Sequence, residues 1–149
     1  MPASAGPAFV TSLCGLSDVV LFSAAQPGQG GEQHLNERAP SYWAGQFAAN
    51  GYAAFDCVRP RVRDEASVDP WYKFNTVLYA NARGQERLLP AALAARIDDL
   101  GKLDGAGDLA WKLRCAILRP LPEPVVTTLS RWRYSLVCAL SAGQSQAGR

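Results

Sequence analysis

The chain contains one histidine, His34, and it stands just before Asn36, Glu37 and Arg38. An imidazole beside a carboxylate can take or deliver a proton near neutral pH. The neighbouring amide can hold a polar acceptor in place. This cluster follows an apolar run and the glycine-rich stretch Pro27-Gly28-Gln29-Gly30-Gly31. That puts it beyond the C-terminal end of a strand, where open α/β sheets form their ligand crevice. A purely structural reading uses the same residues: His34 hydrogen-bonds to hold the loop and Glu37 caps the helix that follows. A second cluster, Trp71, Tyr72 and Asn75, leads into a later strand pattern. Its aromatics can pack on a ligand or close the sheet edge. Asn75 can orient a ligand or satisfy a turn.

Other chemistries fit less well. The glycine loop lacks the dinucleotide fingerprint, because Gln33 stands where the third glycine belongs. No Lys-Ser or Lys-Thr follows its last glycine, as a phosphate loop requires. Cys14, Cys57, Cys115 and Cys138 are far apart and, with a single histidine, offer no zinc spacing. They read as reduced cytoplasmic thiols, although an even number also permits bridges. The balance of 15 basic and 13 acidic residues does not point to nucleic acid. Arg59, Arg61 and Arg63 alternate near a strand pattern and read as a solvated strand end, an interface rim or an anion contact. No Lys or Arg precedes Arg38, so the apolar run Val19 to Ala25 lacks the basic flank of an export signal. No apolar run approaches the roughly 20 residues that span a bilayer. The expectation is a cytoplasmic chain without membrane association.

The elements that must position these clusters follow from periodicity. With 149 residues, 48% of them hydrophobic, the chain can bury one modest core. Met1 to Pro7 reads as a loose end. Phe9, Val10, Leu13 and Leu16 recur at helical intervals, as in the last two turns of an amphipathic helix. Val19-Val20-Leu21-Phe22 is a continuous β-favouring run, suited to a sheet covered on both faces. Pro40 opens a helix carrying Trp43 and Phe47, and Gly51 stops it. Tyr52 to Val58 and Phe74 to Tyr79 read as two further strands, with a polar turn between them. Leu88 to Leu100 reads as a helix closed by Gly101. Leu109 to Leu118 reads as another, bounded by Pro120, Pro122 and Pro124. Residues 125–140 fit either period.

One ordered run of residues carries a family resemblance. Asp18-Val19-Val20-Leu21-Phe22-Ser23-Ala24-Ala25 is followed by Pro27-Gly28-Gln29-Gly30-Gly31, His34-x-Asn36-Glu37 and Pro40-Ser41-Tyr42-Trp43. It continues through Phe47, Gly51-Tyr52, Asp56, Arg59-Pro60-Arg61 and Asp64 to Trp71-Tyr72-x-x-Asn75. This run resembles a bacterial group of class I S-adenosylmethionine-dependent methyltransferases, over about Ala8 to Tyr79. The chain departs from the group's usual pattern at Arg38-Ala39, Arg63, Pro70 and Phe74, where aromatic or amide side chains are common.

The resemblance implies an α/β fold: the last three strands of a Rossmann-like methyltransferase sheet, mixed parallel and antiparallel, with the third inserted antiparallel between its neighbours. Residues 1–83 would form that C-terminal part of the methyltransferase domain, 84–142 a mainly helical extension and 143–149 a flexible tail. The implied cofactor is S-adenosylmethionine, but the strands that hold most of it, with their glycine-rich turn and acidic residue, have no counterpart among these residues. The expectation is therefore a truncated family member with little or no activity alone, whose ancestral reaction moved methyl to a small-molecule or saccharide-like acceptor. His34 and Glu37 would serve catalysis, and Asn36, Trp43, Trp71, Tyr72 and Asn75 acceptor binding. The alternative is a non-catalytic partner that completes or regulates a separate methyltransferase, docking through the exposed sheet edge.

Overall fold

The computed structural model describes residues 2–29, 36–122, 124–128 and 132. A 3-10 turn at Ala3–Ala5 runs into helix α1, Gly6–Leu16, so residues 3–7 are wound rather than loose. The reason lies in packing: a Cβ on Gly6 would sit 3.4 Å from the Trp43 ring, so the helix start lies close against that indole. Strand β1, Val19–Phe22, follows as its apolar run requires. Helix α2, Pro40–Ala49, begins on its proline and ends at Asn50. Gly51 then takes a φ of 81°, a left-handed stop that a side chain would strain.

Strand β2 is Ala53–Phe55, shorter than its pattern suggests. Next come helices α3, Arg59–Val62, and α4, Pro70–Asn75. The alternating arginines thus belong to a helical turn rather than a strand end. Strand β3 is Val77–Ala80. Phe74, expected in that strand, is in α4, because Pro70 pre-sets the helical φ and the turn runs on to Asn75.

The segment after Arg83, expected to be mainly helical, contributes a strand as well. Short helices α5, Ala82–Gln85, and α6, Pro90–Leu93, lead to strand β4, Arg96–Ile97. A 3-10 stretch at Leu100–Gly105 and helix α7, Leu109–Leu118, complete the described elements. The Ala/Leu-rich composition of 88–100 favours one helix. Pairing with the open edge of β2 overrides it, setting Ile97 opposite Ala54 and Arg96 opposite Phe55. Cys138, residues 129–131 and the tail at 143–149 lie outside the described residues.

The fold is α/β, with an open four-stranded sheet in the order β1-β3-β2-β4. Every neighbouring pair is antiparallel, so the expected mixed sheet has no parallel pair among the described residues. β3 lies between β1 and β2 and runs against both, with Phe22 opposite Val77 and Phe55 opposite Leu78. β1 and β2 consequently point the same way.

Alternation along the strands sorts their side chains to two faces. Val20, Phe22, Val77, Tyr79 and Ala54 meet α1 and α2 in the main core, to which Leu103 of the 3-10 stretch also belongs. Phe47 stacks on Tyr79 at 3.9 Å and 7°, and Phe22 meets Phe47 edge-on at 5.4 Å. The second face carries Val19, Leu78, Ala80 and Phe55 under Leu88 and Ala92. Leu21 points to that side of β1, where it is 60% exposed.

The far end of the sheet is closed by a polar knot. Asn81 Nδ2 donates to Asp18 Oδ1 at 2.9 Å, Asn81 Oδ1 accepts from the Gly84 amide at 2.8 Å, and Arg87 Nη2 meets Asp18 Oδ2 at 2.8 Å. The Asn81 hydrogen bond, with help from Arg83 and Arg87, holds the Asp18 carboxyl below its ordinary range, against a smaller opposing effect of desolvation. Because its folded pKa is depressed, Asp18 stabilises the fold fully above the ordinary aspartate value of 3.8, and that contribution disappears as pH falls towards the folded value. Urea unfolding between about pH 5 and about pH 2 should show this acid loss shrinking in Asp18→Asn. An unchanged acid limb would show that Asp18 does not couple to folding.

Candidate functional site

Because β1 and β2 point the same way, the chain leaves both at one end of the sheet. Residues 23–29 and Asp56 emerge there, and α4 ends there before β3 begins. The candidate residues therefore gather at the carboxyl ends of β1 and β2.

A groove of about 490 Å³ opens beside the end of β1. Asn36 and Trp43 line it together with Phe9, Leu13, Phe22 and Ser23. Trp43 is only 3% exposed, and among the described residues its indole Nε1 has no hydrogen-bond partner. Both polar side-chain atoms of Asn36 are likewise buried, and among the described residues they too have no partner. Unpaired buried donors and acceptors are costly, about 1–3 kcal/mol each, and they tend to mark positions where a ligand or a water completes the bonding. An apolar wall with a few polar atoms suits a small molecule that is partly apolar.

Beside the groove a side-chain network holds residues 26–29. Gln26 Nε2 donates to Asn75 Oδ1 at 3.1 Å, and Asn75 Nδ2 donates to Gln29 Oε1 at 2.5 Å. Gln29 and Asn75 are both buried. Glu37 Oε2 accepts from the Gly28 amide at 3.1 Å, and Arg114 Nε donates to the Gln29 carbonyl at 3.1 Å. The carboxylate of Glu37 thus holds a loop amide and does not cap α2. Asp104 takes that place, with Oδ1 accepting from the Ser41 amide at 2.8 Å and Oδ2 from the Ser41 hydroxyl at 2.6 Å.

The structure groups the expected site residues unevenly. Asn36 and Trp43 share the groove; Glu37 and Asn75 meet the same loop. Trp71 and Tyr72 lie apart on α4, with ring centres 6.5 Å from each other and Tyr72 exposed. His34 is outside the described residues.

A donor-binding turn needs a glycine whose open side faces a ligand and an acidic side chain free to bind ribose hydroxyls. Gly28 has a φ of 80°, but a Cβ there would come within 2.3 Å of the Cys115 carbonyl. Its open side is thus filled by α7. Asp56 follows β2, and both of its oxygens are taken by Arg59: Nε to Oδ1 at 2.8 Å and Nη2 to Oδ2 at 2.8 Å. Neither residue fits S-adenosylmethionine.

Burial raises the Cys115 thiol above its ordinary range, with Glu37 adding to the rise and Arg114 opposing it. It is therefore a poor nucleophile at neutral pH. Cys14, Cys57 and Cys115 carry free thiols. Gln26, Gln29 and Arg114 are the participants to which sequence reasoning gave no role. Asp56 and Arg59, opposite charges three residues apart, carried a local signal, whereas Arg114 reaches Gln29 across 85 residues with none.

The chain matches no family, no curated protein and no solved structure. Among the described residues, no helix is long and apolar enough to cross a membrane.

Proposed function

We propose that these residues form the acceptor side of a class I S-adenosylmethionine-dependent methyltransferase sheet, with little or no transfer activity by themselves. The observation that carries this reading is the placement of β3, antiparallel between two strands that point the same way, with the polar cluster at their carboxyl ends. That is the arrangement the family resemblance implies for its last three strands. The acceptor is a small or saccharide-like molecule seated in the groove beside Asn36 and Trp43. His34 and Glu37 remain the candidates for moving its proton, with Glu37 also positioning the Gly28 loop.

Low activity follows from how Gly28 and Asp56 are engaged. Methyl transfer depends on holding donor and acceptor in line. With one residue packed under α7 and the other bound to Arg59, neither is placed to cradle the donor. Translating the DNA immediately upstream in all frames tests the reading. A strand followed by G-x-G-x-G and a helix is expected there; its absence from every frame would remove the reading's support.

The edge of β1 favours a second reading, a non-catalytic subunit that completes or regulates a separate methyltransferase. Among the described residues Val19–Phe22 pairs only with β3, and Leu21 is exposed beside the other edge. Such an edge invites a strand from another chain. Size-exclusion of the purified chain with the product of the neighbouring gene should then give a joint peak; a clean monomer that co-elutes with nothing speaks against it.

A further inference from the structure

A second concavity at the same end of the sheet is charged rather than apolar. It measures about 160 Å³ and lies between α3, α4 and the turn at Ala106–Gly107. Arg59, Arg63 and Lys73 line it against one carboxylate, Asp56. That carboxylate is fully engaged by Arg59 through two parallel 2.8 Å bonds. The remaining Arg59 nitrogen, Nη1, donates to the carbonyls of Phe74 and Leu103 at 3.2 and 2.8 Å. The pair, with Arg59 buried and Asp56 part-exposed, therefore carries no net charge and is internally satisfied.

Arg63 and Lys73 are left as the uncompensated charges of the cavity. Among the described residues neither has an ion-pair partner, nor a side-chain hydrogen bond. Two cations facing one small cavity, Arg63 at the end of α3 and Lys73 on α4, raise its local potential. A guanidinium offers a planar fork and an ammonium a compact charge, a combination that suits an oxyanion.

We propose that this cavity is a binding subsite for a small oxyanion, carried as a phosphate or carboxylate on a small-molecule ligand. Arg63 and Lys73 hold the anion, and the Asp56–Arg59 pair forms a rigid neutral floor. The cavity is too small for a whole nucleotide and takes only the charged end of a ligand. Lys73 and Asn75 share α4, so a bound anion would lie on the helix that also anchors the Gln26–Gln29 loop. The inference stands on the cavity's charge and shape, and holds whether or not the chain belongs to a methyltransferase.

Amide spectra of the 149-residue chain, titrated with inorganic phosphate and separately with acetate at constant ionic strength, test it. Saturable shifts at Arg63, Lys73 and Gly107 are expected with at least one of the two anions. Arg63→Gln and Lys73→Gln should each weaken binding about tenfold, the loss of one charge-assisted contact. Arg61→Gln is the control: its exposed side chain does not line the cavity, so binding should be unchanged. Arg63→Gln replaces an exposed residue, so its melting temperature should match the parent and its loss of binding is not unfolding. The proposal is overturned if neither anion saturates, if shifts spread evenly over the basic surface, or if Arg61→Gln weakens binding as much as Arg63→Gln.

Discussion

Replacing Arg59 with Met is expected to destabilise the chain by about 3–5 kcal/mol, the usual cost of removing one partner of a buried ion pair. Arg59 is 6% exposed and makes four hydrogen bonds, two to Asp56 and one each to the Phe74 and Leu103 carbonyls. Its loss leaves a carboxylate and two backbone acceptors without donors. Because Asp56 retains 23% side-chain exposure, water can compensate part of its charge, which puts the effect nearer the lower end. Arg59→Lys keeps the charge but cannot form the parallel pair, so it should fall between parent and Met. Equilibrium urea denaturation reads all three. If Arg59→Met shifts the midpoint no more than a surface substitution does, the guanidinium does not tie α3 to α4 and the 3-10 stretch.

Phe47→Ala is the other large effect, about 3–5 kcal/mol from lost transfer energy plus the cavity left behind. The ring is fully buried, stacks on Tyr79 and receives the edge of Phe22, so no polar group or solvent can fill its place. In a domain whose whole stability is about 5–15 kcal/mol, such a loss brings the chain close to unfolding. Phe47→Leu, which keeps most of the volume, should cost clearly less. A thermal melt of Phe47→Ala within a degree or so of the parent would mean that α2 does not pack on β3 as described.

Much of this arrangement was legible in residue order because its signals are local. The run Val19–Phe22 is apolar at every position and became a strand with those bounds. Pro40 and Gly51 bracket α2 through fixed φ at one end and positive φ at the other, effects that need no tertiary partner. Leu109–Leu118 formed a helix as its pattern suggests, with Asp108 accepting from the Trp111 amide at 2.7 Å as its cap.

What local pattern could not convey were outcomes decided by distant partners. Residues 96–97 carry no strand signal of their own and extend only because β2 offers an open edge. The alternating arginines were read as a solvated strand end, an interface rim or an anion contact, but Pro60 and the bonds from Arg59 to Phe74 and Leu103 favour a helical turn over a strand end. In the candidate site, Asn36 and Trp43 were recognised as polar and aromatic candidates, and the structure puts them on one groove. Glu37 was read as a proton carrier or a helix cap. The structure replaces the cap with a bond to the Gly28 amide, which depends on a loop folding back that composition does not encode.

The proposal as a whole turns on whether these strands can form a donor pocket by themselves. Calorimetric titration of the 149-residue chain with S-adenosylmethionine addresses that question directly. With the open side of Gly28 filled by α7 and Asp56 held by Arg59, no saturable heat is expected up to about millimolar ligand, a binding free energy weaker than about −4 kcal/mol. Saturation in the micromolar range by the lone chain would contradict it, since a cofactor-binding cleft would then exist within these residues.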